Sequence, residues 1–259
     1  MGGAERSARK RKQAQQRNAG ARAVSQARGG GGNRRTIVAV VAVVVLAAVV
    51  IGGVIWTNSS KNSTEGQSIT PQTASAALDT PDERQGATVV SGKADAKVKL
   101  DIYADFLCPY CGQLQQSFGQ AIEDQIAAGT VQVTYHMIPL LNDRSDPPGY
   151  SMDSANAALC AADQGKFTSY HDSLFKSQPE EGQRGYDKTQ LIKLGTDLGI
   201  TSQDFTTCVN NSTYDSQLSD ALTKISADPT FQGTPTILHN GQSVNWTDPN
   251  WLNNLVSQA

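Results

Sequence analysis

Residues 37–56 are twenty consecutive positions without a charged side chain, almost all Val, Ala, Ile and Leu, interrupted only by Gly52 and Gly53. At about 1.5 Å per residue, a helix of this length spans the ~30 Å hydrocarbon core of a bilayer. A helix buried in a soluble core would show a polar face, and this run has none. Arg34 and Arg35 stand directly before it, so the positive-inside rule puts the N-terminus in the cytoplasm and everything after Trp56 outside. Trp56 falls where an interfacial aromatic would anchor. A cleaved signal peptide would need an apolar region of about 7–15 residues and an A-x-A-like site. This run is longer, and residues 54–59 offer no small-residue pair. The pattern predicts a retained single-pass anchor over 36–56, with the chain placed in the cell membrane.

The anchor splits the charge. Residues 1–35 hold ten Lys/Arg against Glu5 alone, a balance of +9. The whole chain has 22 bases and 24 acids, so the remaining residues hold 12 bases and 23 acids, or −11. The part long enough to fold is acidic, which argues against a basic nucleic-acid-binding globule. The tail is rich in Gly, Ala, Arg and Gln and has no aromatics. It reads as disordered, with its charge explained by topology and the anionic headgroups of the lipid bilayer. Residues 57–86 are rich in Ser, Thr, Asn, Gln and Pro and read as a polar linker.

Beyond the linker, over 87–259, the periodicities change. Val98, Leu100 and Ile102 alternate with Lys99, Asp101 and Tyr103, a strand that runs on to Leu107. Cys108-Pro109-Tyr110-Cys111 follows at once. Leu114, Phe118, Ile122 and Ile126 then recur at helical spacing, with Gly129 as the residue past the helix end. Val131, Val133, Tyr135 and Met137 alternate again and stop at Pro139. Residues of about 145–228 read as an all-helical insertion, with Asp187 as one N-cap. Asn240-Gly241 signals a hairpin between 236–239 and 243–246. Asp248-Pro249 is expected to open the last helix, Asp as cap and Pro in the first turn. The order is a βαβ…ββα plan with helices inserted, an α/β domain.

All four cysteines lie beyond residue 100, outside the membrane, where disulfides persist. A cysteine at a helix N-terminus meets unpaired N–H groups and the positive end of the helix dipole, both of which favour a thiolate. Two intervening residues bring the second sulfur within bonding reach, and Pro109 at the first helical position gives up an N–H that would be orphaned anyway. A zinc half-site would need a second ligand pair at finger or ribbon spacing. Cys160 and Cys208 are 48 apart and His136, His171 and His239 are scattered, so no metal is expected. A copper carrier would lack its Met/His cluster. Cys160 and Cys208 are expected to form a structural disulfide clasping the insertion, the alternative being two buried thiols.

Asp105-Phe106-Leu107-Cys108-Pro109-Tyr110-Cys111, together with Gly233-Thr234-Pro235-Thr236 before a hairpin, resembles the DsbA-like branch of the thioredoxin superfamily. More narrowly it is similar to the membrane-anchored actinobacterial type that bears a second disulfide. The resemblance covers about residues 87–259 and implies a thioredoxin fold with an all-helical insertion. It implies that Cys108 is the attacking cysteine and Cys111 the resolving one. Pro235 would be a cis-proline facing them, and the Thr234 backbone would pair with an extended substrate segment. Reduced or unfolded exported proteins are the implied substrates, a membrane partner resembling a vitamin K epoxide reductase the implied re-oxidant, with no cofactor. Two departures stand out. The family's buried acid, six positions before the first Cys, falls on Ile102, with Asp105 either a local substitute or a helix-capping group. The dipeptide is Pro-Tyr, without the His of the oxidant type. A DsbC/DsbG-type isomerase or reductase, and a non-enzymatic binding module with a structural CxxC, remain the rival readings.

Overall fold

The computed structural model describes residues 64–74 and 82–258. The basic tail, the expected membrane-spanning helix over 36–56 and the first residues of the linker lie outside the described residues. Among the described residues no helix is long and apolar enough to cross a membrane.

Alternation builds the centre of the domain. In β3 (Val98–Ala104) Val98, Leu100, Ile102 and Ala104 are buried, and in β4 (Val131–Met137) Val131, Val133, Tyr135 and Met137 are. Side chains of successive strand residues point to opposite faces, so each strand gives one face to the core. β3 and β4 run parallel, with Leu100 opposite Val133 and Ala104 opposite Met137. The crossover between them is α1 (Pro109–Ala127), which buries Leu114, Ile122 and Ile126 in the same cluster. On the other side of β3 lies β5 (Thr236–His239), antiparallel, with Tyr103 opposite Thr236. Asn240 (φ 52°) and Gly241 (φ 76°) turn β5 into β6 (Gln242–Ser243). Both positions need the left-handed region, which Asn and Gly reach at low cost. Beyond Ser243 only Val244 continues, through its N–H to the Ile237 carbonyl at 2.9 Å.

Two strands were not foreseen. β1 (Glu83–Gln85) and β2 (Thr88–Ser91) form a hairpin whose second strand pairs antiparallel with β4, giving the sheet order β1-β2-β4-β3-β5-β6. β1 thus falls inside the stretch read as linker. So do residues 64–74, which lie along the helical segment: Thr70, Gln72 and Ala74 donate their N–H groups to Ser177, Ser173 and Ser169. Ile69 is buried, and Thr64 Oγ1 donates to the Gly185 carbonyl at 2.8 Å. Where it is described, the linker is part of the domain.

Between β4 and β5 come α2 (Tyr150–Ala162), α3 (Phe167–Lys176), α4 (Lys188–Asp197), α5 (Gln203–Asn210) and α6 (Asp215–Ser226). Asp187 caps α4 in a full capping box with Gln190. A disulfide joins Cys160 of α2 to Cys208 of α5, Cα atoms 5.9 Å apart. The last helix, α7 (Trp251–Ser257), begins later than the Asp-Pro pair suggests. Asp248 instead closes its own turn, its side chain accepting from the Asn250 N–H and its carbonyl from the Trp251 N–H, so Asn250 takes the cap position.

Candidate active site

β3 delivers the chain into a tight turn at the C-terminal edge of the sheet. The Cys108 N–H returns to the Asp105 carbonyl at 3.1 Å, and the Asp105 carboxylate accepts from the Leu107 N–H at 2.8 Å. Cys108 then occupies the N-cap of α1 in an extended conformation, with no side-chain cap, and Pro109 is the first helical residue. No acid stands in the first turn, so nothing competes with a thiolate for the positive helix end. Cys108 and Cys111 are buried and unbonded to each other, a reduced pair, while Tyr110 between them is 65% exposed.

The Thr234–Pro235 peptide bond is cis and precedes β5, the strand beside β3, which sets it opposite the CxxC turn. The Cys108 thiol donates to the Thr234 carbonyl at 3.2 Å. A hydrogen bond from the Cys111 thiol is the main reason the Cys108 pKa drops to about 6, with the Thr234 side chain and the Cys111 and Tyr110 N–H groups adding to it against burial. Burial, followed by the neighbouring Cys108, pushes Cys111 far the other way. The two sulfurs are therefore unequal: one ionises readily and the other keeps its proton.

Asp105 does not cap the helix, because Cys108 holds that position. Its carboxyl is buried and accepts from the Leu107 N–H, the Leu141 N–H and Ser151 Oγ, each at 2.8 Å. Burial raises its pKa against the pull of those hydrogen bonds. The side chain ties the CxxC turn to the loop after β4 and to α2. Ile102, at the position of the family's acid, is buried in the core. Cys160 and Cys208 belong to the helical clasp described above, away from this turn in the chain order. Among the described residues no group of three His, Cys, Asp or Glu could hold a metal.

Three residues that matter here carried no motif. Gln178, just past α3, donates its side-chain amide to the Phe106 carbonyl at 3.0 Å and the Cys108 carbonyl at 2.9 Å. Gly112 lies within α1, where Gly costs roughly 1 kcal/mol relative to Ala, a signal that something approaches closely. Glu123 of α1 is raised to about 8 by burial and by Asp172 of α3. Gly112, Glu123, Asp172 and Gln178 line a groove of about 700 Å³ that starts at Pro109, with Gln113 and Gln116 on its α1 side.

A thioredoxin family model matches residues 84–256. The chain belongs to the thioredoxin family. The structure of reduced DsbG from Mycobacterium tuberculosis is similar at 26% sequence identity and a TM-score of 0.58, covering 65% of this chain and 85% of that one. Reduced DsbA from the same organism is similar at 25% identity and a TM-score of 0.58, covering 67% and 92%. Among curated proteins, the serine/threonine-protein kinase PknE of M. tuberculosis is 29% identical over 190 residues, 65% of this chain and 31% of the kinase. The chain thus spans less than a third of that relative. With the turn just described, these findings make the chain a DsbA-like member of the thioredoxin superfamily, its domain that of a protein thiol–disulfide oxidoreductase.

Proposed function

We propose that this thioredoxin-family protein is tethered to the cell membrane by residues 36–56 and introduces disulfide bonds into exported proteins. In the oxidised enzyme a substrate thiolate attacks Cys108 Sγ. The Cys108–Cys111 bond breaks and Cys111 leaves as a thiolate, which takes up a proton. A second substrate thiolate then attacks the substrate sulfur of the mixed disulfide. The substrate disulfide forms, Cys108 leaves as a thiolate, and the enzyme is left two electrons reduced. A membrane partner resembling a vitamin K epoxide reductase removes those electrons. The Thr234 backbone holds an extended substrate segment beside Cys108, and the exposed Tyr110 borders it.

The observation that carries this reading is the inequality of the two sulfurs: Cys108, the better leaving group at a pKa of about 6, lies beside Thr234 and the exposed dipeptide. Stabilising the thiolate favours the reduced form and makes the disulfide more oxidising. The size of that effect is bounded. Lowering a thiol from 9 to about 6 stabilises the reduced state at pH 7 by roughly 1.4 kcal/mol, or about 30 mV for two electrons. The span from thioredoxin to DsbA is about 150 mV, so ionisation supplies only a part. Ile102, at the position of the family's acid, is apolar and buried, so no carboxylate stands at that position.

Two measurements test the proposal. The first is the equilibrium reduction potential of Cys108–Cys111 against glutathione. A value nearer the ~−120 mV of DsbA supports an oxidant, and one near the ~−270 mV of thioredoxin sinks that direction and leaves a reductase. The second is membrane partition of the full chain, which should be lost on removal of residues 1–57. The DsbC/DsbG-type rival needs a separate dimerisation module. A gel-filtration dimer of residues 57–259 would favour that rival.

A further inference from the structure

The carbonyls of Phe106 and Cys108 flank the CxxC entrance, and neither is left to solvent. Gln178 Nε2 places one hydrogen on each, at 3.0 and 2.9 Å, so a single carboxamide bridges the residue before the turn and the residue that caps the helix. The Cys108 carbonyl also receives the Cys111 and Gly112 N–H groups at 3.0 and 3.1 Å. These first helical bonds hold the Cys111 and Tyr110 backbones in the orientation from which their N–H groups favour ionised Cys108. Gln178 comes from another element altogether, the loop after α3, whose Phe175 packs on Phe106 with ring centroids 4.9 Å apart.

The absence of a side chain at Gly112 leaves the space in which the Gln178 amide sits. A Cβ on Gly112 would collide with the Gln178 amide oxygen and come within 3.0 Å of its Cδ. Gly at this point weakens α1 by roughly 1 kcal/mol relative to Ala. The cost is explained if the space it leaves is used, and Gln178 uses it.

We infer that Gln178, seated against Gly112, is a positioning residue that holds the Phe106 and Cys108 carbonyls so that the turn presents its N–H groups to Cys108 Sγ. The inference rests on Cys108 as the reacting sulfur. Its test is read on that thiol and does not depend on which way electrons flow in the cell. In Gln178→Ala both donated bonds vanish, the turn loosens and the thiolate loses part of its support. Gln178→Glu keeps the shape but replaces the donor with an acceptor, and should do more harm than alanine. Gly112→Ala should expel Gln178 and reproduce the Gln178→Ala effect while favouring the helix.

The experiment titrates the Cys108 thiolate of reduced protein by ultraviolet absorbance and by the alkylation rate, alongside thermal unfolding, for Gln178→Ala, Gly112→Ala and the double variant of these two, with Gln178→Glu beside them. The thiolate fraction near pH 6 should fall roughly two- to fivefold in Gln178→Ala and in Gly112→Ala, corresponding to about half to one pKa unit. The double variant should show no further loss, because the two changes remove one interaction. An unchanged thiolate fraction in Gln178→Ala overturns the inference, even if unfolding shifts, since a merely structural hydrogen bond would act that way. Additive losses in the double variant overturn it as well. Oxidation of a reduced test protein is assayed separately, and failure there would refute the proposed activity while leaving the titration readable.

Discussion

Cys108 is about nine-tenths ionised at pH 7 if its pKa is about 6, against a few per cent for an ordinary thiol. Alkylation of the reduced protein should therefore follow a single thiol with a midpoint near pH 6, Cys111 staying unreactive until far more alkaline solution. A midpoint above pH 8 would contradict the hydrogen-bonding described. The sign for stability follows: the folded pKa lies below the unfolded one, so the thiolate's contribution is full above about pH 9 and is lost as pH falls through 6. At this scale the sequence was informative wherever a motif compresses chemistry into neighbours. Cys108, Pro109 and Cys111 announce themselves by spacing. Asp105 does not, because the Leu141 N–H and Ser151 Oγ that define its role arrive from distant positions. Gln178 is still less legible: a glutamine in a loop resembles any other, and only the helical Gly112 hinted that a neighbour comes close.

Between elements, α1 and α3 meet across two carboxyl groups. Glu123 faces Asp172, which also accepts from Gln115 Nε2 at 2.9 Å and pairs with His171 Nδ1 at 3.0 Å. With a folded pKa of about 8 against an ordinary 4.5, Glu123 binds its proton more tightly in the native state. Stability from this pair is therefore full below about pH 4.5 and lost as pH rises through 8. Glu123→Gln copies the protonated shape, and thermal unfolding should show a gain at pH 8 of about 2–4 °C per kcal/mol recovered, and none at pH 4.5. A variant that gains equally at both would exclude the pair as the cause. The α2–α5 clasp is the second element-scale device. Its cysteines are 48 residues apart, so replacing both with Ala should cost roughly 4 kcal/mol in denaturant unfolding while the alkylation midpoint of Cys108 stays put. Long periodic elements (β3, α1, β4) could be read directly, because burial on one face imposes a period. β1 and β2 could not: three and four residues hold no period, and they are strands only because β4 offers an edge. The late start of α7 has the same origin, Asp248 spending its side chain on its own turn.

Across the whole chain, charge changes sharply at the apolar run: ten bases and one acid precede it, and the rest of the chain is acidic. The linker read from composition is the largest revision, since polar residues can be recruited by hydrogen bonding with little apolar area. Residues 64–74 should carry measurable stability. Removing 58–74 from a 58–259 protein forfeits the burial of Ile69 at about 2 kcal/mol, and unfolding should fall by about 4–8 °C. The strap and its helix also keep step. Two residues of extended chain advance about 6.6 Å and four residues of helix about 6.0 Å, so donors 70, 72 and 74 match serines 177, 173 and 169 almost like the marks of a vernier. Every donor in this ladder is main chain, and Pro71 sits at a rung where none is required. The strap's side chains at those rungs are therefore nearly free to drift, provided none becomes proline, and the information that seats it is written in the helix.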